Sequence, residues 1–183
     1  ARKLAERLSA NEPPHAMQFY CRQLSLVGSE EQVPALALLL GDTNFSYYAR
    51  LALERIPGEA PGAALRDALA RSAGLQRAGI IQSLAARSDP KAIPQLAAIA
   101  AAQERDSANA AVSALGRIGG PEALQALLEL KRATPATNPS GLGESILNCA
   151  ARLAATGQVD RATPVLRQLL ANTEPSPVRA AAF

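Results

Sequence analysis

The chain has no tryptophan, one histidine, one methionine and two cysteines, and aromatic residues make up only 3% of its 183 positions. Each scarcity removes a class of chemistry. A nucleophilic triad or a metal centre needs convergent His, Cys, Asp or Glu side chains. The single imidazole, His15 in Asn11-Glu12-Pro13-Pro14-His15, has no second one to work with and reads as a surface or helix-capping residue. No apolar run approaches the roughly 20 residues that span a bilayer, so no membrane span is expected. No glycine-rich phosphate loop is present either, because Gly141-Leu142-Gly143 lies in a proline-containing stretch with no strand before it. No cofactor, no metal and no catalytic residue are expected.

Charge is also thin. Charged residues are 19%, below the roughly 25% of ordinary soluble domains. Of 19 basic residues three are lysine (Lys3, Lys91, Lys131), which leaves 16 arginines, and against 16 acidic residues the net charge is only +3. Nucleic-acid binders gather such residues on one face or in runs. Here they are scattered beside Glu54, Glu59, Asp67, Glu104 and Asp106, and no nucleic-acid partner is expected. Glu30-Glu31, Glu122 and Asp160 fall at helix starts, where a carboxylate complements the helix dipole.

What the chain does have is a repeat. Leu24, Leu53, Leu84, Leu115 and Leu153 follow one another at 29, 31, 31 and 38 residues. A second ladder, Leu36, Leu65, Leu96, Leu127 and Leu166, runs in step at 29, 31, 31 and 39. Two ladders in step predict a two-helix unit repeated about five times, and periods of this size define solenoids. A leading helix is predicted over 1–9, outer helices over 14–27, 44–56, 75–87, 106–118 and 141–156, and inner helices over 30–40, 61–72, 90–102, 121–132 and 159–171. With 48% hydrophobic residues and so few rings, the core must be Ala, Leu, Ile and Val.

The punctuation agrees with the ladders. Asp89-Pro90 and Ser176-Pro177 place an N-cap residue before a first-turn proline. Gly28, Gly41, Gly74, Gly119 and Gly157 stand where a left-handed residue closes a helix. Pro34, Pro94 and Pro164 each precede an inner-ladder leucine by two residues, so those helices either start late or bend. Residues 133–143 lengthen the fourth unit as an insertion. The opening Ala-Arg-Lys lacks a Met, and a truncated repeat runs from 175 to the end. The expectation is one repeat array over 1–183, cut from a longer protein with flanking domains.

The run Ala111-Val112-Ser113-Ala114-Leu115-Gly116-Arg117-Ile118-Gly119, followed by Pro121-Glu122-Ala123-Leu124, resembles the consensus of short bacterial HEAT repeats, also called phycobilisome-lyase-type HEAT-like repeats. Val178-Arg179-Ala180-Ala181-Ala182 is similar to the start of its outer helix, and the resemblance spans roughly 14–183. It implies an all-α, right-handed α-α superhelix that acts as a non-enzymatic scaffold, binding a protein or peptide on a concave face lined by inner helices. An alternative is a subunit of a chromophore-handling or protein-modifying enzyme of the phycobilin-lyase type. Diiron hydroxylases of similar fold need paired His-Glu motifs, which one histidine cannot supply.

Positions between ladder residues on the inner helices are the candidate protein-binding set: Gln32, Ala35, Asp67, Arg71, Gln95, Ala98, Gln125, Glu129, Val165 and Gln168. A second candidate is an aromatic patch of Phe19, Tyr20, Phe45, Tyr47 and Tyr48, five of the six aromatic residues crowded onto the first two outer helices. Cys21 and Cys149 lie three repeats apart. At roughly 10 Å per helix layer that is about 30 Å, far beyond the roughly 7 Å a disulfide tolerates, so both are expected as free, buried thiols.

Overall fold

A computed structural model describes residues 1–8, 12–102, 104–133 and 139–169. Among them every regular element is helical, and the chain divides into two compact units, Ala1–Arg87 and Ser88–Phe183. The first unit contains α1 (Arg2–Leu8), α2 (Pro14–Val27), α3 (Val33–Leu38), α4 (Ser46–Arg55), α5 (Ala60–Arg71) and α6 (Gly74–Ala86). Helices α2, α4 and α6 pack side by side as an outer layer, α3 and α5 form an inner layer, and α1 covers α2 and α3. The second unit contains α7 (Ile93–Ala100), α8 (Arg105–Ile118), α9 (Gly120–Ala133), α10 (Leu142–Ala155) and α11 (Val159–Leu169). There α8 packs on α10, α7 on α9, and α11 on α10.

The leucine ladders are the seams of these layers. Leu24, Leu53, Leu84 and Leu115 are wholly buried, as are Leu36, Leu65, Leu96 and Leu127, and Leu153 is nearly so. Each such side chain is worth about 1.5–3 kcal/mol of burial. The last inner rung differs from expectation. Leu166 is only half-buried, and the core positions of α11 are Ala162, Val165 and Leu169. Their spacing of three and four residues sets the buried stripe of this helix one residue earlier than the ladder implied.

The inner-helix prolines act in two ways. Pro34 and Pro94 occupy the first turns of α3 and α7, each entered through a short 3-10 turn, Glu30–Gln32 and Pro90–Ala92. A first-turn proline gives up an N–H that has no helical partner anyway, and those helices do start late. Pro164 instead lies inside α11. Asp89 caps its turn as expected, accepting from the Lys91 N–H at 3.0 Å.

Two helix ends depart from the predicted glycine geometry. Gly119 closes α8 with φ +70°, a conformation costly for any residue with a Cβ. Gly28, by contrast, is extended at φ −74°, and Gly41 is not left-handed. Gly28 is required by space instead: a Cβ there would lie 2.4 Å from Leu24 O and 2.9 Å from Ile56 Cδ1. Gly116 works similarly, with Ser145 Cβ at 2.9 Å from where its own Cβ would stand, and so lets α8 and α10 approach closely.

Within the 133–143 insertion, residues 134–138 lie outside the described residues, as do the truncated repeat from 175 and the Ser176-Pro177 cap. Its far end is fastened to α8, because the Ser140 N–H donates to Asn109 Oδ1 at 2.8 Å.

Candidate functional site

Several helix ends are completed by side chains from a neighbouring repeat. Glu30, expected to serve its own helix, accepts the Ala60 N–H at 2.8 Å and so caps the start of α5. At the other end of that connection, Arg87 Nη1 donates to Leu53 O at 2.6 Å and Ile56 O at 2.7 Å, and its Nη2 donates to Gly58 O at 2.7 Å. One guanidinium thereby satisfies orphan carbonyls at the end of α4. In the second unit Arg152 Nη1 donates to Arg117 O at the end of α8. Between α4 and α6, Arg50 Nη1 donates to Gly79 O at 2.9 Å and Ser83 Oγ donates to Glu54 Oε1 at 2.7 Å. Burial lowers the Arg50 pKa, and Glu54 and Tyr47 oppose that shift. Each of these polar groups joins one helix end or face to another.

The inner-layer candidates separate by exposure. In the first unit Asp67 and Arg71 are exposed and Ala35 is half-buried. In the second, Ala98, Gln125, Glu129 and Gln168 are exposed and Gln95 is half-buried, with Gln125 Nε2 donating to Glu129 Oε1 at 2.9 Å. Gln32 and Val165 leave the set because both are buried. The Gln32 side chain turns back to accept the Ser29 N–H at 2.9 Å, closing a capping box. Ser29-Glu30-Glu31-Gln32 carries that pattern in sequence. Val165 is a core residue of α11 for the reason given above.

One recess in the first unit opens beside this inner layer, where α3 and α5 end. It has a volume of about 250 Å³ and is lined by Ala37, Leu38, Leu40, Gly41, Ala68, Arg71, Ser72 and Gln76. Leu38 stands 78% exposed at its edge, and Gln76 Nε2 reaches across to donate to Gly41 O at 3.0 Å. Sequence spacing found Arg71 but neither Leu38 nor Gln76.

The aromatic candidates do not form one patch. Phe19 and Tyr20 meet edge to face at 6.0 Å, as do Tyr47 and Tyr48 at 5.2 Å, while Phe45 sits half-buried just before α4. Tyr47 turns toward Arg50, whose Cζ lies 5.7 Å from the ring centre. Phe19 and Tyr48 instead line an open groove of about 480 Å³ between α2 and α4, with His15, Gln18, Arg22, Ser25, Leu51 and Arg55. Its residues follow the helix period, 15, 18, 19, 22 and 25 on α2 and 48, 51 and 55 on α4. That spacing was the signal available in the sequence.

Among the described residues no group of three His, Cys, Asp or Glu side chains is placed to hold a metal, and no helix is long and apolar enough to cross a membrane. Cys21 and Cys149 are free and buried, as expected, and burial pushes each thiol from 9.0 up to about 11.

Residues 62–138 match the HEAT repeats family. No curated protein matches the sequence. Among solved structures, a designed armadillo repeat protein aligns with a TM-score of 0.51 over 98% of this chain and 95% of that chain, at 18% sequence identity. At that identity the likeness is one of fold. The class is thus the all-α tandem-repeat fold of the HEAT and armadillo type. Within it, the HEAT-repeat match itself extends over residues 62–138.

Proposed function

We propose that the chain is a protein-interaction module whose inner-helix layer receives a protein or peptide segment. The observation that supports this reading best is the recess at the ends of α3 and α5, where a solvent-exposed leucine stands beside an exposed arginine on the layer chosen by repeat position. Leu38, 78% exposed at the edge of the recess, offers an apolar anchor point. Arg71, which among the described residues donates only from Nε to its own helix at Asp67 O (3.3 Å), offers a guanidinium that can fork onto a carboxylate. A further row of exposed inner-layer residues, Ala98, Gln125, Glu129 and Gln168, supplies small or hydrogen-bonding side chains in the second unit. This mixed, nearly neutral chemistry fits polypeptide better than phosphate.

Site-specific photo-crosslinking tests the proposal. A photoreactive residue placed at Arg71 or Gln125 is expected to give one discrete protein adduct in the source cells, and the same residue at the outer-layer Ser113 is expected to give none. Leu38→Glu should abolish the Arg71 adduct. Adducts from Ser113 alone, or none from either inner position, would overturn the reading.

A further inference from the structure

We infer that the groove between α2 and α4 is a second docking surface, on the outer layer of the first unit, for an acidic amphipathic helix. The groove has apolar walls and a one-sign rim. Phe19, 54% exposed, and Leu51, 37% exposed, present apolar surface on facing helices, with the half-buried Tyr48 between them. His15, Arg22 and Arg55 stand around them, and no carboxylate lines the groove. Among the described residues neither Arg22 nor Arg55 pairs with an acidic side chain or hydrogen-bonds through its guanidinium. Two other arginines in this unit are paired, Arg66 with Glu59 at 2.6 Å and Arg7 with Glu12 at 2.8 Å. Two unspent guanidinia beside exposed apolar side chains are the electrostatic complement of a segment with an apolar stripe flanked by carboxylates.

The groove's form selects a helix. Two neighbouring outer helices make a trough that an amphipathic helix can enter with residues three and four apart. Leu26, exposed by 64%, lies four residues beyond Arg22 and seven beyond Phe19 on the same side of α2, which adds an apolar contact past the groove. A single-stranded nucleic acid would want a longer track of cations and several open stacking rings. Here two arginines and one largely exposed ring are offered.

Fluorescence anisotropy on the full 183-residue chain tests this, using a labelled helix-forming peptide with leucine at every third or fourth position and flanking glutamates. Saturable binding is expected. It should be lost when the glutamates become lysine or the leucines serine, and weakened roughly tenfold or more by Arg22→Glu with Arg55→Glu, or by Phe19→Ala. These positions are exposed, and unchanged circular dichroism will show that the variants fold. Arg71→Glu should leave this binding unchanged, so the inner-layer reading and this one fail separately. The inference is overturned if the glutamate peptide does not saturate, if the lysine peptide binds equally, or if Arg22→Glu with Arg55→Glu changes nothing. It is also overturned if oligothymidylate binds more tightly through the same arginines. Self-association lost in Phe19→Ala would assign the groove to a second copy and overturn it as well.

Discussion

At Cys149 a sulfur sits wholly buried against the end of α8, its S–H directed at Leu115 O at 3.5 Å, and Cys21 is equally buried on α2. Neither environment offers the thiolate solvation, which is why both groups titrate near 11 instead of 9.0. An unfolded thiol loses its proton first on alkalinisation, so the folded state is penalised as pH climbs from 9.0 toward about 11 and not below that window. Each thiol contributes up to about 3 kcal/mol to that loss. Urea midpoints are expected to fall across this window, and Cys149→Ala should flatten part of the fall; a pH-independent midpoint would contradict the burial. The residue scale is also where sequence reading was weakest. Buried positions were legible because leucines recur at fixed spacing. The roles of Gln32 and Val165 were not, because spacing from a ladder says which turn a residue occupies and not whether its side chain turns back to cap or points inward.

Several helix ends here are completed from outside themselves. At α3 and α7 the prolines could be read in advance as either a late start or a bend, and the helices that begin at Val33 and Ile93 select the late start. The cap on the end of α4 could not, because Arg87 lies about thirty residues beyond the carbonyls it binds, a separation at which no local pattern points to the partner. Hydrogen bonds from charged groups are worth about 1.5–3 kcal/mol. Arg87→Met is therefore expected to cost about 2 kcal/mol in urea unfolding, with Arg87→Lys restoring less than half, because an ammonium cannot span Leu53, Ile56 and Gly58 together. Equal stability of Arg87→Met and the parent chain would show that water serves those carbonyls as well.

For the molecule as a whole, tandem repeats couple chiefly to their neighbours, so stability behaves as a sum of repeat and interface contributions. Leu115→Asp places a charge at a site with no solvent access, at a cost of several kcal/mol. The expected result is loss of hydrogen-exchange protection in α7 to α10, with α2 to α6 still protected; protection lost everywhere in one step would argue against repeat-wise coupling. The architecture was the most legible level, because two ladders kept in step over four intervals leave few other folds. The surfaces were the least, because a groove needs two helices and the sequence names only one at a time. The borrowed caps bear on how such a chain can change its length. Glu30 serves the helix one repeat later, and Arg87 serves the one before. A duplication or deletion of one repeat would thus join a helix end to a neighbour carrying the wrong residue. The position matching Arg87 is Ile56 one repeat earlier and Ile118 one repeat later, and neither has a side chain that can donate to a carbonyl. Removing or duplicating one repeat is consequently expected to keep its stability only where the cut carries the donor and the acceptor of each seam together, a cost that urea unfolding of such variants would measure.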